Sequence, residues 1–309
     1  MNHTLFSTVL AAALFCTACT DEKKEAPTVT APAVTQPKNF VNTPDFSGAN
    51  AYLHCSNICK LGPRLSGSAA YTAQLEYLEK QLKKSGWTVY RDSFTVNGIC
   101  MTNLRAVKGE ENANRPLLLS CHIDTKTNIA PDFESADDGA SGAAVLLELA
   151  RTLPQESAQQ VELIFLDGEE SFAPRMSEED GLYGSKYDVN RRGDILPRYQ
   201  INLDMVGGRN KIIAPPSLET SDFMYAQYSQ AVREAGFAPN RWTMWPGAYL
   251  DDHLPYLEAG VDSLNLIALF SGSDWWHTTR DNMSRITPES LAESGQITHI
   301  LIRNLLRQL

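Results

Sequence analysis

The chain has 309 residues, of which 43% are hydrophobic, and a formal charge of −10 at pH 7. That length can bury one large core or two modest ones. The acidic balance, with no basic stripe, excludes partners recognised through phosphate charge, nucleic acid above all.

In chain order, Leu5 to Phe15 is an apolar run too short to span a bilayer, and it ends in Cys16-Thr17-Ala18-Cys19, where small residues precede a cysteine. The segment resembles a bacterial lipoprotein signal. That resemblance implies a signal peptide over 1–19, Cys19 as the lipidated first residue of the mature chain, export to the periplasmic face of a membrane, and attachment by the lipid anchor only. Without the lipid the product is periplasmic or secreted. Residues 20–45 shift to charged residues and then to Pro, Thr and Ala, with prolines at 27, 32, 37 and 44. Such a segment cannot bury enough apolar surface to offset its ordering entropy, so it reads as a disordered tether to one catalytic domain over 46–309.

Within that domain, Ala69 to Ser85 predicts an amphipathic helix closed by Gly86, and Thr88 to Phe94 and Met101 to Val107 alternate like half-buried strands. Leu117 to Cys121, Val161 to Leu166, Tyr199 to Leu203 and Ser263 to Ala268 predict buried strands of a parallel sheet. Helices are expected at Gly142 to Leu153, stopped by Pro154, at Asp222 to Ala235, closed by Gly236, and at Pro288 to Leu306. The order argues for an α/β fold in which a mixed, mostly parallel central β-sheet is sandwiched by helices, with an antiparallel pair near the start. Cys55 and Cys59 lie one helical turn apart; with Cys100 and Cys121 they offer no CxxC spacing, so a zinc ribbon is not expected and disulfide pairing stays open.

In parallel sheets ligands collect beyond the carboxyl ends of the strands. There the strands run into His122-Ile123-Asp124, Asp167-Gly168-Glu169-Glu170 and Asp204, the last strand leads to Trp275-Trp276-His277, and Asp137-Asp138 opens a helix. One aspartate after a strand is more often a cap; four strand ends that converge on one rim are not explained as caps. Asp138, Glu170 and His277 would offer carboxylates and imidazole to a borderline ion and leave a position open, the donor set of a catalytic zinc. Glu169, beside a ligand, is the candidate general base and acid. Trp276 is the candidate pocket wall. His54 and His299 read as surface or packed histidines, and His253 as support for its loop.

His122-Ile123-Asp124, Asp138-Gly139-Ala140-Ser141-Gly142, Glu169-Glu170, Asp204-Met205-Val206-Gly207 and His277 resemble, in order, the five ligand blocks of the zinc aminopeptidase superfamily. Lys126, the spacing from Glu170 to Gly181-Leu182-Tyr183-Gly184-Ser185, the run Asp251-Asp252-His253-Leu254-Pro255 and Trp276-His277-Thr278 with Asp281-Asn282 are similar to its glutaminyl-peptide cyclotransferase branch. Met176 departs from it, standing where animal members tend to carry tryptophan, and the Asp138 block is closer to aminopeptidases and bacterial cyclotransferases. The resemblance implies one zinc and conversion of an N-terminal glutamine to pyroglutamate with release of ammonia, Glu169 moving the proton and Asp204 and Asp252 holding it. The aminopeptidase alternative implies hydrolysis of the first peptide bond and a second metal on His122 and Asp204. In both, the partner is a peptide or protein N-terminus; the oligomeric state is not indicated. A scaffold lipoprotein without metal is a third reading, against which the intact ligand blocks count.

Overall fold

The structure, a computed structural model, describes residues 46–111 and 113–309; the expected signal, Cys19 and the tether over 20–45 lie outside the described residues. A six-stranded sheet runs in the order β1-β2-β4-β3-β5-β6. Strands β1 (Thr88–Val96) and β2 (Ile99–Val107) form a hairpin about Asn97 and Gly98, at φ of 51° and 80°, the turn that matches the twist of a two-stranded ribbon. β2 lies antiparallel to β4 (Val161–Leu166), whereas β4, β3 (Leu117–His122), β5 (Tyr199–Asp204) and β6 (Asp262–Ile267) are mutually parallel. The mixed, mostly parallel sheet with its antiparallel start is as the sequence predicts.

The period of two divides the parallel strands between two faces. Leu117, Leu119, Cys121, Leu163, Phe165, Ile201, Leu203, Leu264 and Leu266 join the large core under helices α1 (Gly48–Cys59), α2 (Ala69–Lys84), α3 (Ala140–Thr152), α6 (Asp222–Ala235) and α8 (Pro288–Leu306). Serine or threonine opens four of these helices: Ser47, Ser68, Ser221 and Thr287 each accept from a backbone N–H of the first turn. The opposite face carries a small core of Leu118, Ile164, Leu166, Tyr256 and Val261 beneath helices α5 (Tyr183–Arg192) and α7 (Leu254–Glu258). A one-turn helix, α4 (Gln155–Ala158), leads from Pro154 into β4.

Helix α5 has no apolar stripe, and the sequence pattern does not predict it. Ion pairs within the helix and tertiary bonds hold it instead: Asp188 pairs with Arg191 and Arg192 one turn on and accepts from the Tyr256 hydroxyl at 2.7 Å, and Arg192 also pairs with Glu162 of β4 at 2.6 Å. The approach of α3 to the sheet is set by Gly142, where a Cβ would stand 2.4 Å from the Leu203 carbonyl oxygen and 2.9 Å from the Cys121 Cβ. Only a residue without a side chain lets α3 start so close to the ends of β3 and β5. Among the described residues the four cysteines are free thiols, and no helix is long and apolar enough to cross a membrane.

Candidate active site

Because β4, β3, β5 and β6 are parallel, their carboxyl ends share one edge, and the chain order reverses direction at β3. His122 ends β3 and Asp204 ends β5. Asp138 precedes α3 by one residue, Gly139, whose φ of 93° and whose virtual Cβ, 3.0 Å from the Asp124 carbonyl oxygen and 3.1 Å from the His122 ring, both require glycine. Non-glycine residues take left-handed backbone around the same edge: Ser135, Met205 and His277 have φ of 48°, 52° and 52°. Such strain costs on the order of 1 kcal/mol per residue and collects at functional sites.

His122 Nε2 lies 3.0 Å from Asp138 Oδ1 and 3.2 Å from Asp204 Oδ1; His277 Nε2 lies 3.0 Å from Glu170 Oε1 and 3.3 Å from Asp138 Oδ2. Asp138 thus faces two donor groups, one with Glu170 and His277 and one with His122 and Asp204, each with its atoms within 4.8 Å of one another. Ligands about 2.0–2.1 Å from a tetrahedral ion stand roughly 3.3 Å apart, so these spacings suit a shared cation. Asp138 Oδ2 is buried without a hydrogen bond. A carboxylate whose two oxygens each face an imidazole edge, one of them without a hydrogen bond, fits a metal ligand, since a buried acceptor left unused is otherwise costly.

Two further aspartates fix the backbone of this cluster. Asp124 accepts from the N–H groups of Glu169 and Glu170, both at 3.1 Å, and stands 3.6 Å from His122 Nδ1. Asp281 accepts from the N–H groups of Asp137 and Asp138 at 2.8 and 3.1 Å. Each spans two consecutive amides and so orients the side chains that follow.

The electrostatics record the crowding of acids. Burial pushes Glu169 well above the usual carboxylate range, with the charges of Glu170, Asp251 and Asp252 adding to it and His122 opposing. Burial likewise raises Glu170, with Asp138 adding, and lifts Asp204 well up despite its bond to His122. Burial would also raise Asp138, but the two imidazoles hold it below its ordinary value. Burial disfavours the charged rings, yet the carboxylates around His122 raise it well above 6.5, and Asp138 and Glu170 raise His277 to about 10.

These groups open into a cavity of about 530 Å³ whose lining includes Asp138, Glu169, Glu170, Asp204 and His277. Trp276, 38% exposed, lines it too, stacked on His277 at 3.9 Å and tilted against Phe270 at 4.6 Å. Asp251 and Asp252 part company here. Asp251 lines the cavity, its carboxylate held by Asn202 Nδ2 at 3.1 Å and Asn265 Nδ2 at 2.7 Å from adjacent strands. Asp252, expected beside Glu169, is fully buried outside the lining and accepts from Ser185 Oγ at 2.6 Å. The sequence pattern could not choose between them; the signal for Asp251 is the pair of buried asparagines, Asn202 and Asn265, on adjacent strands. Lys126 Nζ donates to Ser171 O and Oγ and lies 3.5 Å from Glu170 Oε2. His253 bonds Glu219 at 2.9 Å, which also accepts from Tyr249 N, and His54 bonds Tyr77 at 2.7 Å, so both serve packing. His299 is buried in α8, away from the cluster.

The sequence profile of peptidase family M28 matches residues 103–302. The chain is 29% identical over 280 residues to a glutaminyl-peptide cyclotransferase-like protein of Bos taurus, an alignment that covers 79% of this chain and 72% of that one. Its fold is similar to Porphyromonas gingivalis glutaminyl cyclase, with a TM-score of 0.75 and 26% identity over 84% of this chain and 99% of the other. It is also similar to a leucine aminopeptidase precursor of Bacteroides thetaiotaomicron, with a TM-score of 0.73 and 27% identity over 86% of this chain and 99% of the other.

Proposed function

The chain belongs to peptidase family M28, and from that membership we propose that it is a zinc-dependent glutaminyl-peptide cyclotransferase acting on peptide N-termini. One observation carries the reading: a buried Glu169 lines the same cavity as the Asp138, Glu170 and His277 donors and the Trp276 wall. The cyclotransferase and glutaminyl cyclase among its relatives support it.

A zinc ion held by Asp138, Glu170 and His277 would supply Lewis acidity toward the side-chain carbonyl of an N-terminal glutamine. The residues of the chain do the rest. Glu169 takes a proton from the substrate α-amine as that nitrogen bonds to the side-chain carbonyl carbon, and returns a proton to the amide nitrogen as the C–N bond breaks and ammonia leaves. The charges of Glu170, Asp251 and Asp252 keep the proton affinity of Glu169 high, while Asp204 and Asp251, which line the cavity with it, hold the proton in transit, Asp251 in the part that the sequence pattern suggested for Asp252. Trp276 presents a flat apolar wall that folds the glutamine side chain toward its own amine, and nucleophile and carbonyl in one residue make proximity the main gain. Export as a Cys19 lipoprotein is part of the same proposal.

The group of His122, Asp138 and Asp204 favours a second reading, because it offers a second cation position bridged by Asp138, as a two-metal aminopeptidase needs. A two-substrate assay on the purified chain with its metal content separates them. Ammonia from a Gln-peptide with one zinc per chain is expected; free leucine from a Leu-peptide with two metals per chain would replace the cyclotransferase by the hydrolase.

A further inference from the structure

The lining of the cavity holds two basic side chains besides His277, and they differ in what they already bind. Lys126 is buried and committed to Ser171 and Glu170. Arg175 is exposed, and among the described residues no acidic side chain lies within ion-pair distance of it. It is not carried on a loose loop. Asp180 accepts from the N–H groups of Phe172 and Ala173 at 2.9 and 2.8 Å, and Ser177 and Asp180 bond each other through their backbones. Lys186 Nζ ties the far side, donating to Glu178 O and Gly181 O. The tied segment presents Pro174, Arg175 and Met176 to the cavity, which Phe270 and Trp276 also line.

The floor of the same cavity is acidic, so the positive α-amine of a peptide is drawn there and its second residue points toward the mouth. A cube of about 530 Å³ has an edge of roughly 8 Å, which is about two residues of extended chain. Arg175 is in the lining of this same cavity, so a side chain or terminus one or two residues beyond the first is the part of the peptide offered to it. We propose that Arg175 is a specificity residue that selects peptides bearing a carboxylate one or two residues after the N-terminal residue. Guanidinium is the side chain suited to that task, because its planar donors match a carboxylate in two parallel bonds. The inference rests on the reading that peptide N-termini enter this cavity.

The test uses the full chain with its metal and amidated peptides, so that the side chain is the only added charge. Wild type should favour Gln-Glu-Ala-amide over Gln-Lys-Ala-amide by about 3- to 5-fold in kcat/KM, mostly through KM, as a partly exposed ion pair allows. Arg175→Gln should erase the preference, Arg175→Lys should keep most of it, and Arg175→Glu should reverse it. A parallel comparison of Gln-Ala with Gln-Ala-amide reads whether a terminal carboxylate is taken in the same way. Equal kcat/KM for all these pairs in wild type, or a preference that survives in Arg175→Gln, overturns the proposal. Leu-Glu-Ala-amide and Leu-Lys-Ala-amide keep the two failures apart: leucine release in place of ammonia sinks the cyclotransferase reading while the charge preference is still read. If neither series turns over, calorimetric titration of the same peptides reads the preference, and equal affinities overturn it.

Discussion

Glu169 and Glu170 are neighbours in sequence, share one clamp through Asp124, and are sent to different duties by it: Glu170 reaches His277 while Glu169 lines the cavity without facing an imidazole at bonding distance. Glu169→Gln should therefore keep its metal and lose at least about 100-fold in turnover, the usual worth of general acid–base catalysis; zinc content and kcat on one preparation check it. Asp251 and Asp252 offer a second separation. Asp251→Asn removes a charge from the cavity and keeps only one of the two oxygens to which the Asn202 and Asn265 amides donate, so kcat of the folded protein should fall about 10-fold or more, with some loss of melting temperature from the amide left without an acceptor. Asp252→Asn should mainly affect stability, and a loss of kcat confined to Asp252→Asn would return the role to that residue. His122, Glu170 and Asp204 were legible in sequence because each ends or closely follows a buried strand, and Asp138 and His277 because they stand at a helix start and in the loop beyond the last strand. The choice between Asp251 and Asp252 was not, because both lie in a loop with no period to orient them.

At the scale of elements, most of the fold follows from patterns that burial imposes on the chain. β3 and β4 are mostly apolar because both of their faces are covered, β5 and β6 alternate apolar residues with buried polar ones, and α2, α6 and α8 show stripes because one face is covered. Helix α5 escaped because its sequence shows no apolar stripe and two of its charged residues are held by partners distant in sequence, Asp188 by Tyr256 and Arg192 by Glu162. Helix α3 is the element on which the site depends, since Asp138 leads into it and Gly142 seats it against β3 and β5. In Gly142→Ala the new methyl would meet backbone, which cannot swing aside as a side chain can. A loss of about 1–3 kcal/mol in urea unfolding is expected, with weaker metal retention as Asp138 moves; unchanged values for both would show that α3 has room to shift.

For the molecule as a whole, buried acids make stability depend on pH in an unusual direction. Asp167, which ends the approach to Glu169 and accepts from Ser66 Oγ at 2.5 Å and Thr102 N at 2.7 Å, is raised to about 7 from 3.8 by burial, with the charge of Asp124 adding. Between those values the folded chain holds a proton that the unfolded chain has lost. The contribution of Asp167 is thus fully present below about pH 4 and is lost as pH rises through about 7, at no more than about 1.4 kcal/mol per pH unit. With metal saturating, Asp167→Asn should flatten the melting temperature between pH 4 and 8 relative to wild type; parallel profiles would remove Asp167 as the cause. Localisation is tested on the whole chain too: Cys19→Ser should abolish incorporation of labelled fatty acid, and label on that variant would rule out the lipid anchor. Burial of this many acids around one cavity was foreshadowed by the carboxylates at the strand ends, but their mutual effect depends on strand order, which a single sequence does not display.

The paired-amide clamps also bear on how such a site could diverge. Asp124 and Asp281 grip main-chain N–H groups, which residues 137, 138, 169 and 170 would offer whatever side chains they carried. The frame is thereby insulated from its contents. A gene duplicate could exchange a donor, drop one cation position or trade hydrolysis for ring closure by single substitutions, while the backbone that aims the new side chain stays where it was. Evolutionary change at this edge can then proceed in small steps, each one folded, with the clamping aspartates as the positions least free to vary.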